Sequence, residues 1–328
     1  MSSTLLLTGK EIARLMSFDD YLKAVENAFL LYAQGRVQLP GVVHIGAENG
    51  AFHIKSAALE TNRKYVAVKV NGNFPQNPKL FNLPTIQGVI ILFDGETGSP
   101  LALMDSIEIT INRTGAATAL AAKYLARPDS ATITICGCGN QGRISLLGIA
   151  QLFPLKRAFL YDINPRTAEA LAESLSGSIA LPILSFSDLK EAVRQSDIIV
   201  TCTTSRSYFI EADHVPLGAF IAAVGADSHD KQELQPSMLA ASKLVVDILE
   251  QCAEIGELHH AIEQNLLNKQ DVYAELGEII AGRKPGRTSK DEIVIFDSTG
   301  TAIQDVVSAA AVYEKAEEVG AGHSCSLV

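Results

Sequence analysis

Hydrophobic positions near the start of the chain follow a helical period and then give way to short strand-like runs. Leu22, Val25, Phe29 and Tyr32 lie three or four residues apart and follow Ser17. This spacing predicts an amphipathic helix with Ser17 as its N-cap. Further along, β-rich runs are separated by Gly, Asn and Pro, at residues 42–45, 52–55, 65–70 and 89–93. Strand-like runs with no helical pattern between them predict a mostly antiparallel sheet.

The middle of the chain alternates between strand-like and helical patterns. Strand-like runs lie at residues 131–136, 158–161, 197–202, 219–224 and 243–246, and helical patterns at 143–152, 165–175 and 187–195. This alternation predicts a parallel sheet with right-handed crossovers. A last strand-like run at 292–296 precedes a helix predicted at 303–318, after which no strand is predicted. We expect this last segment to pack on the first lobe, which would make that lobe discontinuous.

Composition narrows the class of protein. The chain has 328 residues, enough for two domains, and its formal net charge of −10 disfavours binding to nucleic acid. No apolar run reaches the roughly 18 residues that a membrane span requires, and the amino terminus lacks the basic start of a signal peptide. Five cysteines in a chain of this kind suggest reduced thiols. The sequence therefore predicts a soluble, two-domain, cytoplasmic protein with no membrane partner.

The spacing of cysteine and histidine does not favour a metal site. Cys136 and Cys138 form one CxC pair without a second pair, which is poor spacing for zinc. His259 and His260 lie in an acidic stretch that could suggest a metal, but a solvated helix face is the interpretation that we favour. We therefore predict no metal ligand.

A glycine-rich loop follows the strand-like run that ends at residue 136. Gly137, Gly139 and Gly142 form a GxGxxG string in which the first glycine makes a tight turn, the second lets the backbone approach a pyrophosphate and the third lets the helix pack closely. Asp162 ends the next strand and can accept bonds from the adenosine ribose hydroxyls. The carboxylate would repel a 2′-phosphate, which favours NAD(H) over NADP(H), although Arg166 could hold that phosphate. A glycine turn in an unrelated α/β sheet is the alternative.

Further motifs accompany this loop. They are Val66-Ala67-Val68-Lys69-Val70-Asn71-Gly72, Leu83-Pro84-Thr85, Glu96-Thr97-Gly98, Arg113-Thr114-Gly115-Ala116-Ala117, Val224-Gly225-Ala226-Asp227, Lys231-Gln232-Glu233-Leu234, Phe296-Asp297-Ser298-Thr299-Gly300 and Gln304-Asp305. Together they resemble the ornithine cyclodeaminase/mu-crystallin family over nearly the whole chain. That family includes cyclodeaminases, alanine dehydrogenases, imine reductases and mu-crystallins, and its members use a nicotinamide cofactor.

The resemblance implies an α/β fold in which a Rossmann-type parallel-sheet domain is inserted into an α+β lobe. We place the NAD-binding Rossmann domain at residues 119–299. The substrate-binding and dimerisation lobe then comprises residues 1–118 and 300–328. The resemblance also implies a homodimer.

Two residues are implied as catalytic. Lys69 lies in an apolar strand, where the pattern alone favours a solvent-facing side chain, but it matches the catalytic lysine of the family. Burial would lower its pKa and allow it to donate a proton to an imine nitrogen or hold a carboxylate. Asp227 follows a strand and resembles the family's aspartate that faces the substrate nitrogen, with a loop-capping aspartate as the alternative.

The resemblance also implies residues that contact the cofactor. Thr85 resembles a residue near the nicotinamide. Arg113 resembles one near the cofactor phosphates and the substrate, or it could be a structural cap of a helix predicted to begin near Thr114. The whole expected cofactor set is Thr85, Arg113, Thr114, Gly137, Gly139, Asn140, Gln141, Gly142, Asp162, Ile163, Arg166, Thr203, Val224 and Ser298.

The chain departs from the family pattern at three positions. Gly41 stands where a basic residue is common, His53 where dehydrogenases carry arginine and cyclodeaminases glutamate, and Lys55 where methionine is usual. His53 and Lys55 share one face of a strand because they are two residues apart. They would then help Lys69 and Arg113 to bind the substrate carboxylate, and the additional cation could match a second acidic group. A polar strand edge is the alternative.

These features favour an NAD(H)-dependent oxidoreductase that acts on the C–N bond of a small 2-amino or 2-imino acid. An ornithine cyclodeaminase, which is an ammonia lyase with catalytic NAD+, is the first alternative, although the missing glutamate argues against ornithine. A mu-crystallin-like protein that binds NAD(P)H and a small ligand without catalysis is the second.

Overall fold

A computed structural model describes residues 3–326 of the chain. The chain forms two compact units. Unit 1 comprises the residues up to Arg113 together with those from Thr301 onward, and unit 2 comprises Thr114–Gly300. The first division falls inside the helix Ser106–Leu125, where the sequence shows no break in its pattern. Within the described residues, no helix is long and apolar enough to cross a membrane.

Unit 1 is built on a mixed sheet that has eight strands within the described residues. The strands are Thr4–Leu7, Val37–Gln38, Val42–Ala47, Gly50–Glu60, Lys64–Asn73, Ile86–Asp94, Pro100–Asp105 and His323–Cys325. Neighbouring strands are antiparallel, as predicted, except for the parallel pair of Thr4–Leu7 and Pro100–Asp105. The prediction that no strand follows the last helix is wrong, because His323–Cys325 pairs with Thr4–Leu7 at the edge of the sheet.

The helices of unit 1 include the capped helix that the sequence predicts. They are Gly9–Leu15, Phe18–Ala33, Asn77–Leu80 and Ala302–Val319, together with the start of Ser106–Leu125. Ser17 is the N-cap of Phe18–Ala33, and its hydroxyl accepts a bond from the Asp20 amide at 3.3 Å. Ala302–Val319 packs on Phe18–Ala33 and on the strands Gly50–Glu60 and Lys64–Asn73. The helix therefore covers one face of the sheet and buries the side chains that lie between them.

Unit 2 contains a parallel sheet with eight strands in the part of the chain that the structure describes. In spatial order the strands are Ile183–Ser185, Arg157–Tyr161, Thr132–Cys136, Ile198–Thr201, Phe220–Ala223, Val294–Asp297, Lys243–Val246 and Ala274–Glu275. From Thr132–Cys136 the chain adds strands first on one side of the sheet and later on the other. Open α/β sheets bind ligands at the position where the strand order changes direction in this way. The predicted Rossmann-type parallel sheet is confirmed.

Helices and a small second sheet complete unit 2. The α-helices are Asn140–Leu152, Pro165–Leu175, Leu189–Arg194, Pro236–Ala240, Leu249–Ile255, Glu257–Glu263 and Leu276–Ile280, with the remainder of Ser106–Leu125. Short 3-10 helices lie at Ala212–His214 and Lys269–Asp271, and strands Arg206–Ile210 and Gln232–Leu234 pair in parallel. The β-branched and aliphatic residues of the central strands are buried on both faces, as a parallel sheet requires.

Two buried aspartates meet at the carboxyl ends of neighbouring strands in unit 2. Asp247 accepts bonds from the amides of Thr299 at 2.8 Å and Gly300 at 3.0 Å. Asp297 Oδ2 accepts a bond from the Leu258 amide at 2.9 Å. Burial, reinforced by the charge of Asp247, raises the pKa of the Asp297 carboxyl to about 7.

We expect Asp297→Asn to remove a pH-dependent loss of stability. Because the folded pKa lies above the unfolded one, ionisation of Asp297 lowers the free energy of unfolding of the native chain as pH rises from about 4 to about 7. The variant cannot ionise, so its stability relative to the native chain should increase from pH 5 to pH 8, by about 2–3 kcal/mol. Urea unfolding at both pH values measures the difference. A difference that does not change with pH would contradict this assignment.

Candidate active site

Lys69 lies near the centre of the sheet of unit 1. In the strand Lys64–Asn73 it pairs with Lys55 on one side and with Ile90 on the other. Residues directly opposite one another project from the same face of an antiparallel sheet, so Lys55 and Lys69 share a face. The Lys69 side chain is 4% exposed. The interpretation of Lys69 as a solvent-facing residue is therefore wrong.

The ammonium group of Lys69 belongs to a buried ion triad with Asp305 and Arg113. Lys69 Nζ lies 2.6 Å from Asp305 Oδ2, and Arg113 Nε lies 3.0 Å from Asp305 Oδ1. All three side chains are at most 5% exposed. One carboxylate thus bridges two cations in an environment that excludes water. The triad keeps a net positive charge, which favours an anionic ligand.

Burial and neighbouring charges set the protonation of this triad. Burial lowers the pKa of the Lys69 ammonium to about 7, with Arg113 and Lys55 acting in the same direction and Asp305 opposing them. For Asp305, burial favours the neutral acid, but the charges of Arg113 and Lys69 outweigh it and hold the pKa of the carboxyl below its ordinary value. Lys69 is therefore able to exchange a proton near neutral pH while Asp305 stays ionised.

Arg113 reaches the triad from the middle of a helix. The structure places it within Ser106–Leu125, so the expectation of a helix that begins near Thr114 is wrong. The Asp105 carboxylate accepts bonds from the Ile107 and Glu108 amides, each at 3.0 Å, and so caps the helix at this earlier start. Arg113 Nη1 also donates to Gln304 Oε1 at 2.8 Å. The Gln304 amide nitrogen is buried without a hydrogen-bond partner among the described residues, so it remains a donor for a ligand.

His53 and Lys55 lie on the strand Gly50–Glu60 and are both half-buried. His53 stacks edge-on against His44 of the neighbouring strand, with ring centroids 4.6 Å apart. The charge of Lys55 acts on both Lys69 and Asp305, which places it within electrostatic reach of the triad. The structure thus brings Lys55, Lys69 and Arg113 together, with His53 one step along the same face.

Thr85 lies in the segment between the helix Asn77–Leu80 and the strand Ile86–Asp94. It is half-buried, and its carbonyl accepts a bond from the Phe74 amide at 2.8 Å. Asn77 braces the same segment by donating its side-chain amide to the Pro84 carbonyl at 3.3 Å. These bonds fix the backbone at Thr85, and its proposed contact with the nicotinamide stays a prediction.

The glycine loop of unit 2 has the geometry of a phosphate-binding turn. Gly137 has φ +98°, a conformation that side chains rarely adopt. A Cβ at Gly142 would lie 2.0 Å from the Gly137 carbonyl oxygen, whereas a Cβ at Gly139 would meet nothing within 4 Å. Gly139 is also the N-cap of the helix Asn140–Leu152 and supplies no side-chain cap. The turn is therefore tight on its inner side and open towards the helix amino terminus, which fits an anion.

Asp162 holds the glycine loop against the next strand. Its carboxylate accepts bonds from the Cys138 amide and the Asn164 amide, each at 2.9 Å. Beyond it, the Ile163 side chain is 94% exposed and Arg166 is exposed. A carboxylate that is already fixed by backbone amides keeps lone pairs for ribose hydroxyls. The glycine loop and Asp162 therefore fit a dinucleotide. Arg166 has no ion-pair partner among the residues described.

The remaining residues of the expected cofactor set lie in the same unit. Asn140 and Gln141 begin the helix after the glycine loop, and Gln141 Oε1 is buried with no hydrogen-bond partner within residues 3–326. Thr114 is buried, Val224 is half-buried after the strand Phe220–Ala223, and the Ser298 hydroxyl donates to Asp247 at 3.2 Å. Their contacts with the cofactor remain predictions.

Sequence reasoning missed Glu233, which ties together the loops of unit 2. This buried carboxylate accepts bonds from the Thr201 hydroxyl at 2.7 Å, from the Thr203 amide at 2.6 Å and from the Gly225 amide at 2.9 Å. Glu233 therefore fixes Thr203 and the loop that carries Asp227. The available signal was that Glu233 belongs to the motif Lys231-Gln232-Glu233-Leu234, which resembles the family. Asp305 was missed in the same way, because the motif Gln304-Asp305 does not indicate that the carboxylate faces Lys69.

Asp227 lies in the loop after the strand Phe220–Ala223, as expected. Its side chain is 51% exposed and pairs with Lys231 Nζ at 2.5 Å. Lys231 is in turn fixed through its carbonyl oxygen, which lies 2.8 Å from His260 Nε2. The geometry fits the loop-capping alternative as well as a residue that handles a positively charged nitrogen.

Comparison with known proteins adds to this geometry. Residues 2–320 match the ornithine cyclodeaminase/mu-crystallin family. An archaeal alanine dehydrogenase dimer with bound NAD is 39% identical, with a TM-score of 0.94, and the match covers 99% of this chain and 100% of that one. The Δ1-pyrroline-2-carboxylate reductase of Thermococcus litoralis, in complex with NADH and L-proline, is 36% identical, with a TM-score of 0.93 and coverage of 98% and 99%.

The iminosuccinate reductase of Paracoccus denitrificans, in complex with NAD+, is 31% identical, with a TM-score of 0.92 and coverage of 99% of this chain and 100% of that one. The likeness thus extends over both units and over the motifs that form the ion triad and the glycine loop. The chain belongs to the ornithine cyclodeaminase/mu-crystallin family.

Proposed function

We propose that the chain is an NAD(H)-dependent oxidoreductase that acts on the C–N bond of a small 2-amino or 2-imino acid. The buried triad of Lys69, Asp305 and Arg113 carries this proposal, because it offers both an anion site and a titratable ammonium. Alanine dehydrogenase, pyrroline-2-carboxylate reductase and iminosuccinate reductase are similar over nearly their whole length.

The net positive charge of the triad binds the substrate carboxylate. Arg113 is already fixed by Asp305 and Gln304, so it loses little side-chain entropy when it binds an anion. The amide nitrogen of Gln304, which has no hydrogen-bond partner within residues 3–326, supplies a further donor at the same place. Lys55 adds a third cation close to the triad and favours a substrate that carries a second acidic group.

Lys69 manages the proton on the substrate nitrogen. Its lowered pKa allows it to donate a proton during reduction and to accept one during oxidation at neutral pH. When bound, the nicotinamide supplies or takes up the hydride at the α-carbon. Reduction needs the charged form of Lys69, so its rate should fall as pH rises through the pKa of Lys69, and oxidation should show the opposite dependence. Asp227 is the second candidate for stabilising the nitrogen.

The acidic residue after the second strand of unit 2 favours NAD(H) over NADP(H). Asp162 is fixed by two backbone amides and would repel a 2′-phosphate. Exposed Arg166 is the residue that could oppose this preference. The glycine turn and the helix amino terminus would hold the diphosphate, as the space at Gly139 allows.

The test is an assay of NADH oxidation with pyruvate plus ammonia, Δ1-pyrroline-2-carboxylate and oxaloacetate plus ammonia. We expect turnover with at least one of them, faster with NADH than with NADPH. Lys69→Met should lower kcat by about 10²–10⁴-fold, because it removes the proton donor. Lys64→Met makes the same chemical change on the same strand, outside the triad, and should leave kcat unchanged.

Three outcomes would count against the proposal. An absence of turnover with any 2-oxo acid and amine or any cyclic imine would contradict it. Formation of proline and ammonia from ornithine without net NADH would establish the cyclodeaminase alternative. Turnover that Lys69→Met leaves intact would contradict the role of Lys69, whereas binding of NADH without any turnover would favour the ligand-binding alternative.

We also propose that the enzyme is a cytoplasmic homodimer formed through unit 1. The outer part of its sheet exposes apolar side chains that a monomer would leave in water: Val43 at 55%, Ile45 at 50%, Phe52 at 39% and Ile86 at 43%. Sedimentation of the purified chain should give the mass of two copies, and the mass of one copy would contradict the dimer. The five cysteines are free thiols, which suits a reducing compartment.

A further inference from the structure

Three potential metal ligands converge on the surface of unit 2, beside the loop that carries Asp227. His259 and Glu263 lie one turn apart on the helix Glu257–Glu263, and His229 comes from the loop. One nitrogen of each histidine and one carboxylate oxygen lie within 4.8 Å of one another. His259 Nε2 is 3.4 Å from Glu263 Oε2, and His229 Nε2 is 4.0 Å from Glu263 Oε1.

The state of His259 is what distinguishes this cluster from an ordinary surface pair. The residue is 6% exposed, so the interpretation of a solvated helix face is wrong for His259. Its Nε2 atom is buried without a hydrogen-bond partner among the residues described. A buried ring nitrogen without a partner loses the bonds that it would make to water. Nε2 points towards the carboxylate of Glu263 without making a hydrogen bond to it. A cation bound between them would satisfy the nitrogen and the carboxylate together.

The chemistry of the donors indicates which ion fits. Two imidazole nitrogens and one carboxylate oxygen form a ligand set that zinc uses when it keeps an open position. Ligands at about 2.1 Å from zinc in tetrahedral geometry lie about 3.4 Å from one another, which matches the 3.4 Å between His259 Nε2 and Glu263 Oε2. His229 Nε2 lies 4.0 Å from the other oxygen, Oε1, so this side chain must move closer when it binds the ion. The side chains of His229 and Glu263 are 69% and 57% exposed, which leaves the site open to solvent.

A second cluster in the same unit lacks these properties. Glu211, Asp213 and His214 also lie close together. However, Asp213 pairs with Lys190 at 2.7 Å, and His214 Nδ1 accepts a bond from the Glu211 amide at 3.4 Å. The donors of this cluster are already engaged with other groups, so it serves as the matched control.

We propose that His229, His259 and Glu263 bind a divalent transition metal ion of the zinc type and that the ion fixes the loop Gly225–Lys231. The loop already contacts the helix Glu257–Glu263 where His260 Nε2 lies 2.8 Å from the Lys231 carbonyl oxygen and where the His229 ring lies against that of His259. A metal bound through His229 adds a bonded attachment two residues after Asp227. The ion would thereby restrict the position of Asp227. The metal site itself does not depend on the catalytic role proposed for that residue.

The test is titration of the chelator-treated full chain with Co²⁺ alone and with Zn²⁺ alone. We expect one Co²⁺ per chain, with the visible absorption of a low-coordinate nitrogen and oxygen site, and displacement of Co²⁺ by Zn²⁺. His229→Gln and Glu263→Gln should each weaken binding at least about tenfold, because each removes one of three ligands. Both side chains are exposed, so the variants should fold. Glu211→Gln should bind like the native chain.

Two results would overturn the site. One is a native chain that binds neither ion at concentrations up to about 1 mM, which corresponds to only about 4 kcal/mol of binding free energy. The other is equal affinity of the native chain, His229→Gln and Glu263→Gln, which would mean binding elsewhere. Amide hydrogen exchange over Gly225–Lys231 tests the effect on the loop. It should slow with Zn²⁺ in the native chain but not in His229→Gln, and unchanged exchange in the native chain would contradict the coupling.

Discussion

The structure of unit 1 depends on a buried carboxylate that bridges two buried cations. Removing three charges from water is costly, and the triad of Lys69, Asp305 and Arg113 offsets this cost only because each ionised group faces an opposite charge at short range. Loss of the central carboxylate would leave two buried cations unpaired, a change of about 3–5 kcal/mol for a pair of this kind. The helix Ala302–Val319 must therefore pack on the sheet with Asp305 over Lys69.

The contacts that stabilise unit 1 leave an excess of positive charge and a hydrogen-bond donor at the triad. One carboxylate cannot neutralise two cations, and the amide of Gln304 has no hydrogen-bond partner in the described part of the chain. An anionic substrate would neutralise the excess charge and accept a hydrogen bond from the Gln304 amide. Substrate binding therefore uses groups that the fold itself does not pair. In unit 2 the glycine turn follows the same logic, since the helix Asn140–Leu152 begins without a side-chain cap and leaves amide groups for a phosphate.

Sequence patterns predicted the features that depend on neighbours along the chain. The strand, glycine loop and helix around Gly137, and the acidic residue that follows, are local, so their geometry agreed with expectation. Apart from the start of the helix Ser106–Leu125, the features that were wrong or missed depend on distant contacts. The strand His323–Cys325 exists only because Thr4–Leu7 offers an edge, and the partner of Lys69 comes from a helix at the other end of the chain. Likewise, no spacing in the sequence shows that His229 lies against His259.

The titration of Lys69 is the sharpest test of the buried triad. Nuclear magnetic resonance of isotope-labelled lysine side chains, with Lys69→Met to assign the signal, follows this one group across pH. We predict a midpoint near pH 7, and a lower midpoint in Asp305→Asn, because the carboxylate favours the charged ammonium. A midpoint near the ordinary lysine value of about 10.4, unmoved by Asp305→Asn, would contradict the account.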